Sequence, residues 1–218
     1  MTTMAQWLNP LPLVAILRGL EPERAVAVGT AIADAGFRIL EVPLNSPDPL
    51  ASIRALADAL GERCLIGAGT VLTVAAVAQV AAAGGRLIVM PHADAAVIAA
   101  AKRAGLYCVP GVATPNEAFA ALAAGADALK AFPAEAVTPA VLRAWRAVIP
   151  AGVAILPVGG IAADGMRPYL RAGASGFGIG SALFAAGRSL TEIAAAAHAF
   201  AHGYAHACAP DTLIRATP

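Results

Sequence analysis

With 218 residues, 15 lysines and arginines against 14 acidic residues and a net charge of +1, the chain is long enough for one large domain. It carries no charge surplus to draw it to nucleic acid or an anionic membrane. Hydrophobic residues make up 59% and charged ones 13%, which excludes a disordered chain, and much of the excess is alanine, which serves helix packing as well as lipid.

The first ten residues hold no basic cluster, and the apolar run at 11–17 is broken by Pro12, so no secretory signal is expected. Cys64, Cys108 and Cys208 are scattered, with no CxxC pair, and read as reduced thiols of a cytoplasmic protein. Buried strands are expected at 13–17, 39–44, 65–69, 87–90, 107–109, 128–132, 154–158 and 176–179, their starts recurring at roughly 19 to 27 residues. Alanine-rich helices fit between them at 22–35, 47–60, 93–104, 115–123, 139–148 and 163–171. The uncharged stretch 64–85 is nominally long enough to span a bilayer. Gly67-Ala68-Gly69-Thr70 divides it, however, into a strand at 65–69 and a helix capped by Thr73 that runs to Ala83.

Ser46-Pro47, Thr114-Pro115 and Thr138-Pro139 place a capping side chain before a helix-starting proline. Gly36, Gly61, Gly84, Gly105, Gly125 and Gly173 stand where left-handed C-terminal caps belong. Eight strands alternating with eight helices predict an α/β protein, a (β/α)8 TIM barrel in a single domain over 1–207, with a tail at 208–218. An open doubly wound sheet is the rival arrangement; the even strand count favours closure.

A barrel carries its site at the C-terminal strand ends. The polar residues expected there are Arg18, Glu41, Asn45, Thr70, His92 and Lys130, joined by the loops Gly159-Gly160 and Gly180-Ser181. The chain has two lysines, Lys102 and Lys130, so arginine is its ordinary cation. Lys130 lies within Ala-Leu-Lys-Ala-Phe, where desolvation lowers an amine's pKa and leaves it able to attack a carbonyl; arginine stays protonated. A snorkelling or ion-paired lysine fits that position as well. Glu41, within Ile-Leu-Glu-Val-Pro-Leu, is a carboxylate whose pKa should rise toward proton-transfer duty; a structural ion pair with Arg18 or Lys130 is the plainer reading.

The glycine loops after the last two strands suit phosphate, because backbone N–H groups can approach the oxygens with no Cβ in the way. Thr70 and the glycines before it can hold a carboxylate with Arg18, although a capping turn explains Thr70 nearly as well. His198, His202 and His206 share one face of the last helix and read as a solvated face or a subunit contact, so no metal site is expected.

The segments Leu-Pro-Leu-Val-Ala-Ile-Leu-Arg-Gly (11–19), Glu-Val-Pro-Leu-Asn-Ser-Pro (41–47), Gly-Ala-Gly-Thr-Val-Leu (67–72), Ala-Leu-Lys-Ala-Phe-Pro (128–133) and Val-Gly-Gly-Ile (158–161) strongly resemble the class I aldolases of 2-keto-3-deoxy-6-phospho sugar acids. The resemblance implies a homotrimeric (β/α)8 barrel that needs no cofactor and no metal, and a small phosphorylated keto-deoxy sugar acid as substrate. It places the Schiff-base lysine at Lys130 and the proton donor and acceptor at Glu41. Substrate-carboxylate binding falls on Arg18 and Thr70, and phosphate binding on Gly159, Gly160, Gly180 and Ser181. Asn45 and Val158 stand where gluconate-type members carry arginine and threonine, which resembles the galactonate type, with Val158 toward the substrate C4 hydroxyl. A gluconate-type or dual-specificity aldolase shares the same catalytic residues. A phosphosugar isomerase or epimerase and a non-catalytic barrel are the remaining readings. Met90-Pro91-His92 departs from the family pattern.

Overall fold

The computed structural model describes residues 3–209. A short helix, α1 (Met4–Trp7), comes first, followed by β1 (Leu13–Ile16), α2 (Pro22–Asp34), β2 (Ile39–Pro43), α3 (Pro49–Leu60), β3 (Leu65–Gly69), α4 (Val74–Ala82), β4 (Leu87–Val89) and α5 (Ala95–Arg103). The second half continues with β5 (Tyr107–Val109), β6 (Gly111–Val112), α6 (Pro115–Ala123), β7 (Leu129–Ala131), α7 (Pro139–Arg146), β8 (Ile155–Pro157), α8 (Met166–Arg171), β9 (Phe177–Ile179) and α9 (Leu190–Cys208). Each expected strand is present within a residue or two. The proposed tail beyond α9 lies outside the described residues from position 210.

Every strand pair is parallel. The strands form a curled six-stranded sheet in the order β5-β4-β3-β2-β1-β9 and a three-stranded sheet in the order β6-β7-β8. The sequence predicts eight strands in one ladder, whereas the described residues show nine segments in two sheets. Pro110 accounts for the break between β5 and β6, since it has no N–H to donate, although its carbonyl still accepts from the Lys130 N–H at 2.9 Å. At the other seam a single bridge joins Val158 to Gly178.

The period-2 alternation of the strands sorts side chains into two apolar layers. Leu13, Leu40, Ile66, Ile88, Leu129, Ile155 and Phe177 face the helices and pack with Ile32, Ile53, Val80, Ile98, Leu142 and Ile193. Val14, Ile39, Leu65, Leu87, Val109, Ala128 and Leu156 form a separate inner cluster with Met4, Trp7 and Leu8. Helix α1, for which the sequence offered no expectation, thus plugs the N-terminal end of the strands. A Thr3–Gln6 capping box starts it, and the Trp7 ring packs beneath the guanidinium groups of Arg38 (4.9 Å) and Arg86 (5.3 Å). Small residues allow close helix packing elsewhere: a Cβ on Gly29 would lie 2.3 Å from Leu56 Cδ2.

Thr73, Thr114 and Thr138 cap α4, α6 and α7 as expected. Ser46 does not cap α3. That helix starts at Pro49 behind Asp48, and the Ser46 hydroxyl instead accepts the Gly19 N–H at 2.9 Å. Gly36, Gly84, Gly105, Gly125 and Gly173 have positive φ, but Gly61 stays right-handed at −61° and needs no glycine for its conformation. No helix among the described residues is long and apolar enough to cross a membrane.

Gly67 lets β3 and β4 approach closely, because a Cβ there would sit 2.1 Å from the Leu87 carbonyl oxygen. Gly67→Ala is expected to destabilise the fold by about 1–3 kcal/mol through this overpacking, measured as a lower urea midpoint at unchanged slope.

Candidate active site

Three strands set the chemistry through their inward-facing residues. On β1 the inward series Val14, Ile16 ends at Arg18, on β2 Ile39 is followed by Glu41, and on β7 Ala128 is followed by Lys130 and Phe132. The register places Glu41 opposite Ile16 and Gly67, and Lys130 opposite Gly111 and Leu156. Lys130 is 9% exposed and Glu41 2%. The strand period therefore carries two ionisable groups into an aliphatic interior.

Neither group is neutralised by an ion pair. Among the described residues the salt bridges are Arg63–Asp34 and Lys102–Asp127. Lys102, the other lysine, binds both Asp127 oxygens (2.6 and 2.8 Å) and the Leu106 carbonyl, which is what a structural lysine looks like in this chain. The Lys130 amine instead lies 4.6 Å from the centre of the Phe132 ring. Burial pulls its pKa below the ordinary value; the Glu41 charge opposes the shift and Arg18 adds to it. Burial likewise pushes the Glu41 carboxyl up to about 7, against the pull of Lys130 and Arg18. Its Oε2 is buried without a hydrogen-bond partner. Space for the carboxylate comes from Gly69, where a Cβ would lie 1.9 Å from Oε2.

Above Lys130 a cavity of about 310 Å3 opens at the C-terminal strand ends, and Arg18, Thr70, Val158, Gly159, Gly160, Gly180 and Ser181 line it together. Glu41 sits one layer lower. With Lys130 it borders a small apolar gap of about 20 Å3 that Met4 also lines. Lys130 lines both the cavity and the apolar gap beneath it.

Backbone groups dominate the cavity's far wall. Gly159 and Gly160 hold φ values of 120° and 59°, which favour glycine. Among the described residues the N–H groups of Gly159, Gly160, Ile161, Ser181 and Ala182 donate to no protein acceptor, although the nearby Leu183 and Phe184 N–H groups both reach the Gly180 carbonyl. Unpaired backbone donors on residues that line one cavity are the kind of group an anion can use. Across the cavity, Arg18 Nη1 donates to Asn45 Oδ1 at 2.7 Å, and Thr70 has φ 54°, a left-handed conformation that a β-branched residue takes only at a cost of about 1–2 kcal/mol.

Pro91, flagged in the sequence only as part of a departing triplet, and Phe132, to which the sequence reading gave no role, also line the cavity. Phe132 was legible in principle, since it follows Lys130 by two in a strand. Of the departing triplet, Met90 is fully buried beside Cys108, Pro91 faces the cavity and His92 is exposed outside it. His198, His202 and His206 lie exposed on α9, away from the cavity, and no group of three metal-ligating side chains occurs among the described residues.

The family model for KDPG and KHG aldolase matches residues 4–195. The chain belongs to this aldolase family. It is 46% identical over 202 residues to the 2-dehydro-3-deoxy-6-phosphogalactonate aldolase of Escherichia coli K12, covering 93% of this chain and 98% of that one. To the probable 2-dehydro-3-deoxy-6-phosphogalactonate aldolase of Rhizobium meliloti it is 47% identical over 182 residues, covering 84% of this chain and 86% of the relative. A solved structure described as native KDPGal superposes with a TM-score of 0.90 at 45% identity, over 91% of this chain and 97% of that one. The KDPG aldolase of Legionella pneumophila, with pyruvate captured as a covalent carbinolamine, superposes at TM-score 0.81 and 27% identity, over 91% and 98% of the two chains. As a KDPG/KHG aldolase the protein is a carbon–carbon lyase of the class I type.

The raised Glu41 pKa has a stability consequence. A carboxyl held above its unfolded value of 4.5 binds its proton more tightly in the native state. Its contribution is complete below about pH 4.5 and is lost as the pH rises through 7. Glu41→Gln, neutral throughout, is therefore expected to gain roughly 2–3 kcal/mol on the wild type between about pH 5 and pH 8, read from urea unfolding at the two values.

Proposed function

We propose that this aldolase cleaves 2-dehydro-3-deoxy-6-phospho-D-galactonate to pyruvate and D-glyceraldehyde 3-phosphate through a Schiff base on Lys130. The observation that carries the reading is the unpaired, desolvated Lys130 amine at the floor of a cavity with an arginine on one side and free backbone N–H groups on the other. Val158, bridged to Gly178 beside the lysine, and the identity to two 2-dehydro-3-deoxy-6-phosphogalactonate aldolases favour the galactonate epimer.

The substrate's carboxylate is held by Arg18 and the Thr70 hydroxyl, and its phosphate by the N–H groups around Gly159, Gly160, Gly180 and Ser181 with the Ser181 hydroxyl. This anchoring at both ends sets the C2 ketone over Lys130. The neutral amine adds to C2 to give a carbinolamine. Protonation of its hydroxyl by Glu41 expels water and leaves an iminium. Glu41, now a carboxylate, takes the C4 hydroxyl proton directly or through water. The C3–C4 bond breaks, its electron pair enters the iminium to form an enamine, and glyceraldehyde 3-phosphate departs. Protonation at C3 and hydrolysis of the resulting iminium release pyruvate and restore the amine. The iminium is the electron sink that a divalent cation supplies in other aldolases. A Glu41 pKa of about 7 suits a group that must give and take a proton in one cycle near neutral pH.

The two sheets are read as arcs of one (β/α)8 barrel in a single domain, which reaches Cys208 at the end of α9 rather than stopping at 207; the Pro110 carbonyl and the Val158–Gly178 bridge support continuity at the seams. The working assembly is read as a homotrimer in the cytoplasm. A 45% identical chain, superposing at TM-score 0.89 over 91% of this chain and 74% of its own length, belongs to a cage designed by fusing symmetric oligomeric domains.

Incubation with pyruvate and borohydride should add one reduced pyruvate unit, mapped by mass spectrometry to Lys130. Labelling at Lys102, or none, defeats the mechanism. Lys130→Ala is expected to lose at least about a thousandfold in kcat/KM. Cleavage of the galactonate epimer should exceed that of its C4 epimer, and the reverse order would move the assignment to the gluconate type.

A further inference from the structure

We infer that Arg188 is a positioning residue for the phosphate end of the cavity, acting from behind the turn that follows β9. The inference rests on the reading of the cavity as a phosphosugar-acid site and assigns a role to a residue that does not touch the substrate.

The turn at 180–184 is closed by the Leu183 and Phe184 N–H groups, which donate to the Gly180 carbonyl at 2.9 and 3.0 Å. That arrangement leaves the Ser181 and Ala182 N–H groups with no protein acceptor among the described residues, on a segment that lines the cavity. The carbonyls at the other end of the turn have a single side-chain partner. Arg188 Nη1 donates to the Ala182 oxygen at 2.8 Å and to the Leu183 oxygen at 3.2 Å.

The carbonyl of Ala182 and the N–H of Leu183 belong to one rigid peptide plane. Holding that oxygen therefore holds the Leu183 N–H on Gly180 and keeps the turn closed, with the free donors on the stretch that lines the cavity. The cation also sits at the carbonyl end of the turn, where peptide dipoles favour positive charge, so it strengthens the donor end facing the anion. Arg188 is itself fixed, because Arg24 at the start of α2 donates from Nη2 to the Arg188 carbonyl. The outcome is a relay from α2 through two arginines to a turn, and arginine suits it because its planar, multi-donor head can serve neighbouring acceptors at once.

The test compares two aldehydes in the condensation direction, D-glyceraldehyde 3-phosphate and D-glyceraldehyde, each with pyruvate. Arg188→Ala should raise KM for the phosphorylated aldehyde about tenfold while KM for glyceraldehyde and the pyruvate dependence of borohydride trapping stay within about twofold. Arg188→Lys, which keeps the charge but not the planar head, should recover only part of the loss. Equal effects on both aldehydes would mark a general fold defect, and no effect on either would leave Arg188 without a role; each result overturns the proposal. A wild-type enzyme that traps pyruvate on Lys130 yet shows equal KM for the two aldehydes would remove the phosphate subsite, and this inference with it, while leaving the Schiff-base reading intact. Failure of wild-type trapping would instead strike the aldolase mechanism itself.

Discussion

An amine and a carboxyl share the inner face of curled, aliphatic parallel strands with no ion pair to neutralise either one. Water would stabilise the charged form of both, and the fold withholds it. Val14, Ile39, Leu65, Leu87, Val109 and Leu156 make the surroundings apolar, and Met4, Trp7 and Leu8 close them from below. Lys130 is consequently drawn toward its neutral, nucleophilic form and Glu41 toward its protonated one. Lys102 shows the alternative in the same chain: given Asp127 at 2.6 Å, a half-buried lysine becomes a structural cation.

That withheld solvation explains several features that carry no chemistry of their own. Gly69 is a glycine because a methyl group would occupy the Glu41 carboxylate's position, and Gly178 because a Cβ would press on Val158 at 2.6 Å. The short helix α1 is a lid on the end of the interior away from the site. The polar side chains that face the substrate cavity lie at the opposite rim, where Arg18, Asn45, Thr70 and the glycine turns meet a cavity open to solvent. An aliphatic interior and a polar rim one layer apart allow a charged, doubly anchored substrate to present its ketone to an uncharged amine.

The strand and helix pattern was readable because the chain repeats one unit, an apolar run and an alanine-rich helix punctuated by capping threonines and left-handed glycines. It failed where a local signal has two uses. Ser46-Pro47 has the form of a helix start, but Ser46 is recruited by the Gly19 N–H, and α3 begins two residues after Pro47. Gly61 ends its helix right-handed. Pro110 could be seen in the sequence, yet its effect, the division of one expected strand ladder, depends on which neighbours lack a donor.

Lys130 and Glu41 were conspicuous because a chain of thirteen arginines places one lysine, and one glutamate, inside apolar runs. Composition and local pattern suffice for such an anomaly, since the cost of burying a charge is a property of the residue and its immediate neighbours. They do not suffice for its resolution. Whether the lysine meets a carboxylate depends on strand register and on the direction in which each strand points its side chains, which are relations between segments far apart in the chain. The same holds for Phe132 under the amine, Asn45 on Arg18 and Arg188 behind the phosphate turn. Their roles are distances between loops brought together only when the sheets curl, and three-dimensional packing alone sets those distances.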